Sequence, residues 1–215
     1  MERGGKTVYG AAVGILMLET RFPRIPGDMG SAMSWDFPVH YKVVRGATPD
    51  NVVRGDPRQL IDLFVEAGRD LVAMGADGIT TNCGFLSLIQ DEVKQALGVP
   101  VATSSLMQVP MVQALLPADK RCGILTISKG SLTEAHLAAA GVDPVTPVAG
   151  TEAGRCFTRD ILADAPEIDF QACRQDMLDA AQAMVVDHPE LGAIVLECTN
   201  MVPYAADIQM ATGLP

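Results

Sequence analysis

The segment Gly75-Ala76-Asp77-Gly78-Ile79-Thr80-Thr81-Asn82-Cys83 has a counterpart in Gly192-Ala193-Ile194-Val195-Leu196-Glu197-Cys198. Each opens on Gly-Ala, passes through a short stretch of strand-forming residues, ends in cysteine and gives way to a segment of helical period. The next Gly-x-Pro begins 15 positions after the cysteine in both cases, at Gly98 and at Gly213. Upstream, Gly14-Ile15-Leu16 and Gly123-Ile124-Leu125 stand 69 and 75 positions before their cysteines. Such a repeat describes two βα lobes related by an approximate two-fold axis. We place them at 1–105, with Cys83, and 106–215, with Cys198. In the first lobe Gly98-Val99-Pro100 runs on into Val101-Ala102-Thr103 and a helix. The repeat therefore leads us to expect that the natural C-terminal strand or helix lies beyond Pro215 and is missing from view.

Elsewhere short apolar runs alternate with helical segments, the pattern of a parallel α/β protein. Strands are expected near 8–18, 40–45, 77–82, 99–103, 121–127, 145–148 and 193–198. Helices are expected near 58–74, 85–97, 106–116, 131–140, 168–187 and 201–211. Ser131 with Glu134 reads as a capping box, Gly141 as a helix stop, and Asp56-Pro57 as a helix start. A stripe of Phe170, Cys173, Met177, Ala180 and Met184 marks the buried face of the helix at 168–187. Residues 19–39 break the alternation, with Pro23, Pro26, Gly27, Gly30, Pro38 and the single tryptophan, Trp35. A stretch this long is either a functional lid or an irregular excursion packed by Trp35 and Phe37. Because it follows the first strand, it belongs at the carboxyl edge of the sheet, where α/β proteins bind ligands.

Composition narrows the partners. The 215 residues carry 16 Lys plus Arg against 26 Asp plus Glu, a formal charge of -10, which disfavours nucleic acid and anionic membrane surfaces. No run reaches the length of a membrane span. The basic start Met1-Glu2-Arg3-Gly4-Gly5-Lys6 and the apolar run that follows lack a small-residue cleavage site, so a cytoplasmic location is expected. Five scattered cysteines form neither a CxxC pair nor a Cys/His cluster, so no disulfide framework and no metal site are expected. No GxSxG elbow and no GxGxxG or GxxxxGK[ST] phosphate loop is present.

Cys83 and Cys198 are the exception to an inert reading of the cysteines. Both stand at the carboxyl end of a strand, both precede a helix whose first N–H groups favour thiolate, and the repeat sets them facing across a cleft. One, as thiolate, can remove a proton from a carbon beside a carboxylate; the other, as thiol, can return a proton from the opposite face. That is racemisation or epimerisation without metal or pyridoxal phosphate. Expulsion of a β-leaving group by the same carbanion would make the pair a lyase. Backbone N–H groups at Gly84-Phe85 and Thr199-Asn200 are candidates for a carboxylate cradle, with Asn82, Thr126, Ser128, Thr199 and Asn200 as side-chain ligands and Thr103 and Ser104 as further candidates. Cys122 and Cys173 read as structural, Cys156 is undetermined, and of His40, His136 and His188 only His40 lies near the lid-like stretch.

Thr81-Asn82-Cys83-Gly84-Phe85 and Glu197-Cys198-Thr199-Asn200-Met201 together resemble the aspartate/glutamate/hydantoin racemase superfamily. The resemblance spans essentially the whole chain. It implies two Rossmann-like lobes with parallel sheets, an active site between them, cofactor-independent catalysis by Cys83 and Cys198, carboxylate binding by Thr199 and Asn200, and a homodimer or larger oligomer. Amino-acid racemases of this superfamily usually carry Cys-Asn-Thr at the first site, whereas Cys83 is followed by Gly84-Phe85 and preceded by Asn82. Gly84 leaves room and Phe85 offers an apolar wall. Maleate isomerases, single-cysteine arylmalonate decarboxylases and dimethylsulfoniopropionate lyases share the superfamily, and the presence of both cysteines disfavours the decarboxylase.

The expectation is thus a racemase, an isomerase acting on a small carboxylate such as aspartate or glutamate. A dimethylsulfoniopropionate-type lyase and a maleate-type isomerase are the enzymatic alternatives. A two-lobed small-molecule binding protein is the alternative without turnover.

Overall fold

The computed structural model describes residues 4–215; the start Met1-Glu2-Arg3 lies outside the described residues. In chain order the elements are β1 (Val13–Leu18), β2 (Val39–Val44), α1 (Pro49–Val53), α2 (Ile61–Met74), β3 (Gly78–Thr81), α3 (Gln90–Leu97), β4 (Val101–Ala102) and α4 (Gln108–Leu115). They continue as β5 (Arg121–Thr126), α5 (Glu134–Ala139), β6 (Val148–Gly150), α6 (Phe157–Leu162), α7 (Phe170–Asp187), β7 (Leu191–Leu196) and α8 (Ala205–Thr212). One sheet runs β2-β1-β3-β4 and the other β6-β5-β7, with every pairing parallel. The central strands β1 and β5 carry the two Gly-Ile-Leu echoes. The strands that end in the cysteine turns, β3 and β7, flank them in corresponding places, so the repeat in sequence is a repeat in topology.

The correspondence extends to single bonds. Ile79 N donates to Pro100 O at 2.9 Å, and Ile194 N donates to Pro215 O at 2.9 Å. Gly14 and Gly123 are both close-approach positions: a Cβ on Gly14 would come within 2.7 Å of Ile79 Cδ1, and one on Gly123 within 2.4 Å of Met184 Cε. Each glycine lets side chains from the adjacent strand or helix settle onto its sheet.

Several elements differ from the expectation. β1 begins at Val13, not at residue 8, because Gly10 turns the chain with φ +90°. The helix over 131–140 starts at Glu134 and is capped by Thr133 with His136, not by Ser131 with Glu134. Ser131 is instead held outside the helix by Ser128 Oγ, at 2.9 Å. On α7 the buried small residue is Ala181, with Ala180 half-buried. The short α1 and α6 had no counterpart in the hydrophobic periodicity.

Helix α6 is held by a carboxylate from α7. Asp176, 5% exposed, accepts from the N–H groups of Arg155, Cys156 and Phe157, each at 2.8 Å. Three charge-assisted bonds on donors otherwise left without partners are worth more than an exposed cap. Asp176→Ala is expected to lower unfolding stability by roughly 2–4 kcal/mol, measured by urea denaturation. A loss under about 0.5 kcal/mol would show that water replaces the carboxylate.

Candidate active site

Cys83 and Cys198 line one pocket, 8% and 7% exposed. Each is the residue before a short 3-10 helix, Gly84–Ile89 and Thr199–Tyr204 respectively, so both follow the carboxyl end of a sheet as expected. Asn82, Phe85 and Asn200 share the pocket, whose wall also includes Glu197, residues of the 19–38 segment, and apolar side chains from β1, α1 and α6. The free space between them is of the order of one water molecule.

The other candidates lie around the pocket without lining it. Thr199 Oγ1 donates to Asn82 O at 2.7 Å and so ties the second cysteine turn to the first. Thr126 Oγ1 donates to Glu197 Oε2 at 2.7 Å, and Ser128 bonds Ser131. Gly84 faces Glu197 across the two turns, so the room it leaves is occupied by protein. Thr103 and Ser104 are buried; Thr103 bonds Gln90, while Ser104 caps the turn that leads into α4. Cys122 and Cys173 are buried in the core, and burial pushes their thiols up to about 11 and about 12. His40 sits at the amino end of β2, opposite the cysteine edge, with Nε2 buried and without a partner. His136, held down to about 4 by burial, packs edge-on to Phe85.

One feature of this site was not anticipated: Glu197, fully buried one residue before Cys198. The first part of the 19–38 segment, where a lid or an irregular excursion was expected, forms a strap that lines the pocket with Thr20, Phe22 and Arg24. Arg24 Nη1 donates to Asp28 Oδ1 at 2.7 Å, and Asn200 Nδ2 donates to the other oxygen of Asp28. Asn200 Oδ1 in turn accepts from Cys198 Sγ at 3.4 Å, so a chain of bonds runs from the thiol to Arg24. Arg21 N and Nε bond Asp164, on the far side of the pocket. The latter half of the segment does what the packing alternative foresaw: Trp35 stacks near Phe37 and its Nε1 donates to Tyr41 Oη at 2.7 Å.

The electrostatics differ from the helix-start argument. Burial pushes both thiols well above their ordinary value, Cys83 and Cys198 alike. The Phe85 and Asn200 amides do favour the respective thiolates, but one or two backbone N–H groups cannot offset full removal from water. The pair is not equivalent. Glu197 opposes ionisation of both thiols; Arg24 partly offsets this at Cys83, whereas at Cys198 Cys83 and Asp28 add to it.

Comparison with solved structures bears on this arrangement. A mutant of arylmalonate decarboxylase superposes with a TM-score of 0.63 at 15% identity, covering 94% of this chain and 86% of that one. A glutamate racemase isoform from Bacillus anthracis superposes at 0.55 with 11% identity, over 94% of this chain and 74% of that one. The chain has the fold of these two proteins. No family model matches the sequence. By sequence the chain is 28% identical over 213 residues to a dimethylsulfoniopropionate lyase of Durusdinium sp. clade D, covering 95% of this chain and 70% of that protein. It is 28% identical over 215 residues to dimethylsulfoniopropionate lyase 7 of Emiliania huxleyi, covering 95% of this chain and 62% of that protein. Among the described residues no helix is long and apolar enough to cross a membrane.

Proposed function

We propose that the protein is a cofactor-independent lyase that removes the α-proton of a small onium carboxylate and expels the onium group, as the name of its sequence relatives, dimethylsulfoniopropionate lyase, suggests. The observation that carries this reading is the charge of the pocket. Three acids line it, Cys83, Cys198 and Glu197, and its lining cation, Arg24, is already paired with Asp28. Aspartate or glutamate would bring net negative charge into this buried space with no free cation to meet it. A sulfonium propionate brings its own positive charge, and a cation beside a thiol favours the thiolate that burial otherwise suppresses.

Cys83 is then the base, being the thiol that Arg24 favours. Its thiolate takes the α-proton, the C–H pair becomes the new Cα=Cβ bond, and the Cβ–S pair leaves on sulfur. The products are acrylate, dimethyl sulfide and a Cys83 thiol. Dimethyl sulfide departs neutral and needs no proton, so Cys198 serves by orienting Asn200. Asn82 Oδ1 accepts from Leu18 N at 2.8 Å, which leaves its Nδ2 to meet the substrate carboxylate. A second reading, racemisation with Cys198 returning the proton, is favoured by the two thiols sharing one pocket.

Proton NMR in D2O on dimethylsulfoniopropionate, aspartate, glutamate, maleate and a hydantoin tests the proposal. Vinylic signals from the sulfonium compound alone are expected. Loss of an α-proton signal without new products would replace the lyase by a racemase, and conversion of maleate to fumarate by an isomerase. Silence across the panel with ligand binding retained would make the protein a binder.

A further inference from the structure

Glu197 occupies in the second lobe the place that Asn82 occupies in the first. Each directly precedes its cysteine. Asn82 N donates to Leu16 O at 3.2 Å, and Glu197 N donates to Leu125 O at 2.8 Å. The Leu18 amide donates to Asn82 Oδ1, and the Ile127 amide faces the Glu197 carboxyl. A neutral amide thus meets the structural need in one lobe, while the other carries a titratable group at the same position. Oε2 of Glu197 accepts from Thr126; Oε1 is buried without a hydrogen-bond partner and lies against the backbone of Gly84. The carboxyl therefore sits between the turn that carries Cys83 and its own turn that carries Cys198, in the wall of the pocket.

We infer that Glu197 is a positioning residue that sets the charge state of the thiol pair, holding a proton whenever Cys83 is thiolate so that the buried pocket carries one negative charge and not two. The inference rests on the thiol-based reading above and goes beyond it. The titratable groups facing the carboxyl are Cys83 and Cys198, on which Arg24 and Asp28 of the strap act in turn; the end of β5 and the residue after it present only the Thr126 hydroxyl and the Ile127 amide. Burial pushes Glu197 up to about 7, and its ionised form opposes ionisation of both thiols. The folded chain thus holds this proton more tightly than the unfolded chain does. The resulting stabilisation is present in full below the ordinary carboxylate value and is lost as pH rises through about 7.

The test is alkylation of Cys83 by iodoacetamide, followed by peptide mass as a function of pH, in the wild type and in Glu197→Gln without substrate. The variant is expected to react about tenfold faster near pH 8, with a midpoint about one unit lower. Its melting temperature should not fall between about pH 5 and 7.5, whereas that of the wild type should. Equal midpoints in two folded proteins would overturn the inference. Should the variant not fold, the wild type alone decides by infrared spectroscopy. A protonated-carboxyl band that disappears as pH rises through about 7 is expected, and absence of that band near pH 6 would overturn the inference. No arm uses substrate, so a failed elimination assay leaves this result standing, and the reverse.

Discussion

Cys83→Ser is expected to lower dimethyl sulfide release from dimethylsulfoniopropionate by at least about a thousandfold, while Cys198→Ser retains about one part in ten to one in a hundred. Serine cannot supply an alkoxide near neutral pH, so loss of the base removes proton abstraction itself. At position 198 a serine hydroxyl can still donate to Asn200 Oδ1, the bond that Cys198 makes at 3.4 Å. The departing sulfide carries no charge and asks for no proton. The asymmetry between the two variants is therefore the signature of elimination. Racemisation needs a base on one face and an acid on the other, and would lose activity equally with either change. Equal, complete losses on the sulfonium substrate would sink the single-base mechanism; both variants should be checked for native melting before rates are compared.

Gly84→Ala is expected to damage both stability and activity, out of proportion to the one methyl group it adds. A Cβ there would come within 2.3 Å of Glu197 Oε1 and 2.6 Å of Glu197 O. The carboxyl end could shift, but the carbonyl belongs to the backbone of the other cysteine turn and is held by Ser105 Oγ at 2.7 Å. Relief must come from parting the two turns, which moves both thiols. The expected cost is about 3 kcal/mol, or roughly 6–12 °C in melting temperature for a chain of this size, together with loss of activity. Gly78→Ala is the control: its Cβ would meet Pro100 O at an ordinary 3.6 Å, and the change should cost under about 1 kcal/mol. An unshifted melting curve and normal turnover for Gly84→Ala would mean that the lobes are not braced through this contact.

Much of this architecture is legible in the residues. The paired Gly-Ala to cysteine segments and the Gly-Ile-Leu echoes are local patterns, and they map onto β3, β7, β1 and β5 because a parallel strand buried on both faces needs an unbroken apolar run. The cysteines at strand ends follow from the same pattern. What escaped are relations across the chain. Asn200 meets Asp28, 172 positions away, and Thr126 meets Glu197, 71 positions away, and no periodicity encodes such pairs. Glu197 stands within the Cys198 motif, yet its burial depends on the Gly84 turn; Gly84 reads in sequence as open room, and the space is filled by a residue from the other lobe. The expected ease of ionising the thiols failed for a related reason. A helix start is visible locally, whereas the depth of burial that outweighs it is a property of the assembled lobes.

The strap over the pocket has a consequence for the redox life of the protein. Reactive thiols are vulnerable in proportion to their thiolate character and their exposure to peroxide. Here Asn200 bonds both Cys198 and Asp28, so the segment that covers the thiols is fastened through the hydrogen-bond partner of one of them. With the strap down, the thiols are covered and burial keeps them protonated, the form that peroxide attacks slowly. Without ligand the two thiols are accordingly in the form and the place least open to oxidative loss.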